Sequence, residues 1–217
     1  MELHKIEKKH VFFLDETALR LNACPPRTLL ATDENSYVIV EDDTSYARRY
    51  DMIACCNYDQ VFPPVIYTPT ERSDAGVKGI NTKMLEEYIH QILASAIDAT
   101  DIYPVYLVLD RATIHSVDKI KQSFIDWGCE SVSEVIRMPT QAAKRMSPLD
   151  NSLFHDWKSQ IRKHKRITPE NIEQLMADEW NNTSSDILHS YYHHCLLFQR
   201  QDVYADCPVP AQHKHAS

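Results

Sequence analysis

No run of apolar residues in this chain of 217 residues approaches the roughly 18 to 20 needed to cross a bilayer. A membrane-spanning role is therefore not expected. The first ten residues, MELHKIEKKH, are charged and lack the apolar stretch of a secretory signal. The expected address is the nucleus in a eukaryote and the cytoplasm otherwise. CxxC pairs are missing as well: Cys24, Cys55, Cys56, Cys129, Cys195 and Cys207 are scattered. That argues against a structural zinc site and, in a chain long enough to build a core, against a disulfide scaffold. His193-His194-Cys195 has the residue types of a metal site, but it lies in an apolar helical pattern, where helix surface and core are the expected roles. A basic excess is also lacking. The net charge of −8 counts against a free-standing nucleic-acid-binding domain. It counts less against an enzyme core whose metal-holding carboxylates add acidity. No repeat, low-complexity tract or linker interrupts the chain, so residues 1–217 are expected to form a single domain, with 1–9 and 203–217 as loose ends.

What is present suits an ordinary core: 43% hydrophobic and 25% charged residues. HVFFLDET (His10 to Thr17) reads as a buried strand ending in an acid. Tyr37 to Val40 is a short β-type run beyond the Pro25-Pro26 loop. Met52 to Cys56 and Val61 to Tyr67 read as a hairpin, with Pro63-Pro64 marking an edge. Residues 82–99 repeat apolar side chains at three-four spacing, as a helix does. PVYLVLD (Pro104 to Asp110) is a second buried strand ending in an acid. Ser116 can cap a helix over 117–127, which Gly128 ends. Val135 to Met138 is a strand, and 149–163 a helix. Thr168-Pro169 reads as the start of a helix carrying Ile172, Met176 and Trp180, and Ser185 opens the last helix. Hairpins followed by crossover units imply an α/β chain with a mixed sheet.

The chemistry gathers at the acids. Asp15 and Asp110 each follow an apolar strand, and in open α/β sheets ligands bind outside the carboxyl ends of strands. Carboxylates side by side on adjacent strands repel unless a cation offsets them, and hard oxygen ligands suit magnesium or manganese. The plainer reading is that each aspartate merely ends its strand. Asp150, in SPLDNSLFHDWK, stands where the helix opens. It is either an N-terminal cap or a third acid facing the first two.

FLDET, LVLDRATIH and MSPLDNSLFHDWK together resemble the three catalytic blocks of mariner-superfamily DNA transposases, over about residues 10–198. Between Asp110 and Asp150 stand 150 − 110 − 1 = 39 residues. That spacing with a final aspartate resembles the plant mariner-like branch, whose helix block aligns with Leu149-Asp150-Asn151-Ser152-Leu153-Phe154. Arg111 stands where the family usually has Asn, and Asp156 is an alternative third ligand. The helix-turn-helix domain that precedes this domain in the family is not expected here.

The resemblance implies an RNase H-like fold: a mixed five-stranded sheet flanked by helices, the first and fourth strands adjacent. It implies cleavage and strand transfer of DNA by two-metal phosphoryl transfer with Mg2+ or Mn2+. In that scheme Asp15 bridges both ions, while Asp110 and Asp150 hold one each. Without cations the three carboxylates should stand apart. Glu16 and His115 are candidates for the layer behind the ligands. Glu16 should point off the metals, because neighbouring strand residues face opposite ways. The plainer role for His115 is a helix-entry histidine bonding to backbone. Lys144, Arg145, Lys158, Arg162, Lys163, Lys165 and Arg166 are candidate phosphate contacts, or simply a solvated helix end. The implied partners are transposon-end and target DNA and a second copy of the chain when DNA-bound. The competing readings are a domesticated, catalytically silent scaffold and another RNase H-like nuclease.

Overall fold

The computed structural model describes residues 3–21, 48–139, 145–164 and 166–195. The expected run Tyr37 to Val40, Lys144, Lys165 and the tail lie outside them. Five strands form one sheet in the order β3-β2-β1-β4-β5. They are β1 (Val11–Arg20), β2 (Arg49–Cys56), β3 (Val65–Tyr67), β4 (Val105–Leu109) and β5 (Val132–Arg137). β1 runs antiparallel to β2 and parallel to β4, and β5 is parallel to β4. The expected hairpin forms, with Val61 bridging Cys56 and Asp51 opposite Tyr67, but Pro63-Pro64 interrupt the returning strand, which rejoins the sheet at Val65.

Helices cover both faces. On one lie α2 (Thr82–Tyr88), a π turn (Ile89–Leu93) and α3 (Ala94–Asp98), which together fill the expected 82–99 helix, and α4 (Val117–Trp127). Gly128 ends α4 at φ 89°, a left-handed stop that glycine adopts without strain. On the other face lie a second π turn (Leu149–Leu153) that continues into α5 (Phe154–Arg162), α6 (Ile172–Asn181) and α7 (Ser185–His194). Alternation along the central strands sorts two cores. Phe12, Leu14, Leu107 and Leu109 face α2–α4. Val11, Phe13 and Val108 face Leu153, Trp157, Ile161, Trp180 and Tyr192 of the other layer. The buried aromatics there satisfy their polar atoms: Trp157 Nε1 donates to Met176 O (3.1 Å), Trp180 Nε1 to Phe62 O (2.9 Å) and Tyr192 Oη to Val11 O (3.0 Å).

Several boundaries differ from the sequence reading. β1 runs five residues past Asp15, because β2 continues to pair with it to Arg20. Thr168 does not open α6. A turn spans 168–171, with Thr168 N–H donating to Asn171 Oδ1, and the regular helix begins at Ile172. Of the end expected loose, residues 1–9, the part from Leu3 on forms two 3-10 turns together with His10, with Leu3 in the core and His10 Nδ1 2.7 Å from Pro104 O. A short helix, α1 (Pro69–Asp74), follows β3. Among the described residues no helix is long and apolar enough to cross a membrane.

Candidate active site

The ladder between the two central strands pairs Val11 with Tyr106 and Phe13 with Val108, and stops there. Two residues further on each strand stand Asp15 and Asp110. Odd positions of β1 and even positions of β4 share a face, as Phe13 and Val108 do, so both aspartates belong to the side covered by the helix bearing Asp150. Asp15 is 9% exposed. Burial raises its carboxyl well above the ordinary carboxylate range, and the charges of Asp150, Glu16 and Asp110 push it further. The Glu16 N–H donates to Asp15 Oδ1 at 2.8 Å and pulls it partly back. Asp110 and Asp150 therefore both bear on Asp15.

Asp150 is not the cap. Pro148 holds the cap position and Asp150 lies in the first turn, solvent-exposed. Asp156, the alternative third acid, points elsewhere: the Tyr191 hydroxyl of α7 donates to its Oδ2. Nothing linear joins those two residues, which stand 35 apart.

Behind the acids stands His115, fully buried. Its Nε2 lies 2.9 Å from Glu16 Oε1 and its Nδ1 2.8 Å from Asp110 Oδ1. Burial alone would lower its pKa, but the bond to Glu16 and the charges of Glu16 and Asp110 raise it to about 9. The bland reading, a histidine bonded to backbone, is met only in part: Nδ1 is also 3.2 Å from Asp110 O. Asp110 Oδ1 also accepts the Ala112 N–H at 2.7 Å.

The basic residues divide. Lys158 is half-buried, and its charge is felt with those of Asp150 and Asp15, while burial and Arg162 lower its pKa. Arg145, Arg162, Lys163 and Arg166 are exposed. Arg162 and Ile161 line a cavity of about 210 Å3 with Leu19 and Arg20 of β1. Arg20 was not singled out by the sequence, because nothing linear connects it to α5. His193 and His194 are exposed and Cys195 buried, a helix surface and core as expected.

Solved structures share this architecture. A Mos1 mariner paired-end complex with manganese superposes with a TM-score of 0.66 at 10% identity, over 87% of this chain and 53% of that one. This is the RNase H-like fold of the mariner transposase catalytic domain. A Mos1 paired-end complex with the left transposon end gives 0.64 at 11% identity, over 86% and 52%. The separate Mos1 catalytic domain gives 0.57 at 10% identity, over 85% and 76%. The chain thus spans about half the length of the transposase chains in the Mos1 complexes. No protein-family model matches it, and no curated protein matches it by sequence. At this identity the likeness is one of fold.

The acids do not form a closed metal cage. Among the described residues, no three His, Cys, Asp or Glu side chains are gathered closely enough to hold an ion. The donor chemistry of the three acids, oxygen only, with Asp15 burdened by its neighbours' charge, suits a hard divalent cation.

Proposed function

We propose that this chain is the catalytic domain of a mariner-like DNA transposase that cuts and rejoins DNA using divalent metal held by Asp15, Asp110 and Asp150. The observation that carries the reading is the placement of Asp15 and Asp110 two residues beyond the last β1–β4 ladder pair, facing the helix that bears Asp150. Mg2+ or Mn2+ bound there supplies the charge that makes a nucleophile of a water or a DNA 3′-hydroxyl and stabilises the leaving oxygen. The chain's own part is to hold the ions with these three carboxylates and to seat the DNA. Lys158 beside the acids, and Arg162, Lys163 and Arg166 at the end of α5, would meet phosphates. Lys144, Arg145 and Lys165 remain candidates of the same kind from the sequence alone. End recognition would come from a separate DNA-binding domain, with two copies working together on DNA in the nucleus of a eukaryote or the cytoplasm of a prokaryote.

The test is strand cleavage. The chain, fused to a sequence-specific DNA-binding domain, is incubated with supercoiled plasmid and Mn2+. Nicked circles should form, should vanish with chelator, and should be absent for Asp110→Asn and Asp150→Asn. Cleavage that survives both substitutions, or none from the parent chain, overturns the reading.

A further inference from the structure

Strand alternation separates Glu16 from Asp15. Glu16 faces the α2–α4 layer with Phe12 and Leu14, away from the helix bearing Asp150. An acid next to a metal site would otherwise compete for the ions, yet this one has a different partner. His115, in the loop between β4 and α4, sits with Nε2 2.9 Å from Glu16 Oε1 and Nδ1 2.8 Å from Asp110 Oδ1. The ring thus touches β1 through a side chain and β4 through both the carbonyl and the carboxylate of Asp110.

The bridge lies where the backbone stops joining the two strands. No ladder pair extends past Phe13 and Val108, so nothing in the sheet itself fixes the distance between Asp15 and Asp110. The chain from Glu16 through His115 to Asp110 crosses that gap, linking residues 99 apart in sequence. It also occupies one carboxylate oxygen. His115 Nδ1 bonds the Asp110 carbonyl at 3.2 Å and lies 2.8 Å from Oδ1 of the same residue, whose Oδ1 also accepts the Ala112 N–H, so both the backbone and one carboxylate oxygen of Asp110 are held.

We infer that His115, anchored by Glu16, is the positioning residue that clamps β1 to β4 beyond their ladder and holds Asp110 in place for the metal, with Glu16 withheld from the ions. The inference rests on the proposed metal role of Asp110. Ligands oriented from behind in this way lose about 10–100-fold in metal affinity when the orienting group is removed. Glu16→Gln keeps an oxygen that can accept from Nε2, so it should conserve most of the clamp, while Glu16→Ala removes it.

The experiment is Mn2+ titration calorimetry on the full chain, with melting of each metal-free variant recorded alongside. His115→Ala should weaken Mn2+ binding about 10–100-fold. Glu16→Ala should weaken it in the same direction, Glu16→Gln should stay within a few-fold of the parent, and the Glu16→Ala/His115→Ala pair should be no weaker than His115→Ala alone. A purely structural role lowers the melting temperature and leaves affinity unchanged. If Asp110→Asn loses Mn2+ while His115→Ala and Glu16→Ala bind like the parent, the clamp is wrong and the metal site stands. If Asp110→Asn also binds like the parent, the metal reading itself falls. Should His115→Ala fail to fold, Glu16→Ala, changed at a partly exposed side chain, decides the matter.

Discussion

Replacing Asp15 by Asn tests the electrostatics of the site in the folded protein, apart from catalysis. Asp15 is 9% exposed, and its carboxyl feels the charges of Asp150, Glu16 and Asp110. Asn has the same shape, and its oxygen can still accept the Glu16 N–H now held at 2.8 Å. The substitution therefore removes a buried charge and little else. The gain should be on the order of 1–3 kcal/mol, the desolvation penalty of a poorly compensated buried group, with each kcal/mol worth roughly 2–4 °C in a domain of this size. The pH dependence carries a definite sign. Asp15 titrates higher folded than unfolded, where a carboxyl titrates near about 3.9. Its contribution to stability is full below that value and is lost as pH rises through the folded-state value. The Asn variant escapes this loss, so the gap between variant and parent should be small near pH 4, widen with pH and then level off. Adding Mn2+ should reverse the order. A ligand at 100 times its dissociation constant stabilises by about 2.7 kcal/mol, and only the parent has the full ligand set. Thermal melts in chelator and in Mn2+, from pH 4 to pH 8, measure all of this. An Asn variant no more stable than the parent at pH 7.5 in chelator would refute the reasoning.

Two more outcomes are expected. Asp156→Ala should keep Mn2+-dependent nicking and cost within about 1.5 kcal/mol, the scale of the lost Tyr191 hydrogen bond; a dead Asp156 variant beside an active Asp150→Ala would reverse the assignment of the third acid. Lys158→Ala and Arg162→Ala should each flatten the dependence of log K on log salt for duplex DNA by about one unit, measured by filter binding, and an unchanged slope would place both side chains off the DNA.

The sequence revealed the centre of the molecule better than its rim, for physical reasons. β1 and β4 are buried on both faces beside Asp15 and Asp110, and such strands read as unbroken apolar runs. The part of β1 beyond Asp15 is half-buried, with Thr17 and Leu19 in and Arg20 out, and its alternation was hidden behind the acid. β5 starts at Val132 rather than Val135, because Ser133 and Glu134 at the sheet's edge look like loop. α1 has a start signal of its own in the sequence. Thr68, Pro69 and Glu71 make a capping box with proline at the helix start, both reciprocal bonds being present. His115 was legible as a candidate from its block. Its bond to Glu16 was not, because that contact joins two strands through a loop.

The largest gap lies at the third acid. Periodicity assumes about 100° per residue, which puts Lys158 about 80° around the helix from Asp150 and Asp156 about 120° from it. The helix does not keep that period. Leu149–Leu153 is a π turn, which takes in one extra residue. Counting one residue fewer, Lys158 returns to within about 20° of Asp150, and Asp156 swings out to about 140°. The contacts agree with those directions: Lys158 lies close enough to feel the charges of Asp150 and Asp15, and Asp156 binds Tyr191 on α7. A single inserted residue thus turns part of a basic run, read from sequence as a solvated helix end or a row of phosphate contacts, into a lysine directed at the acids. It also turns the nearest rival carboxylate away from them.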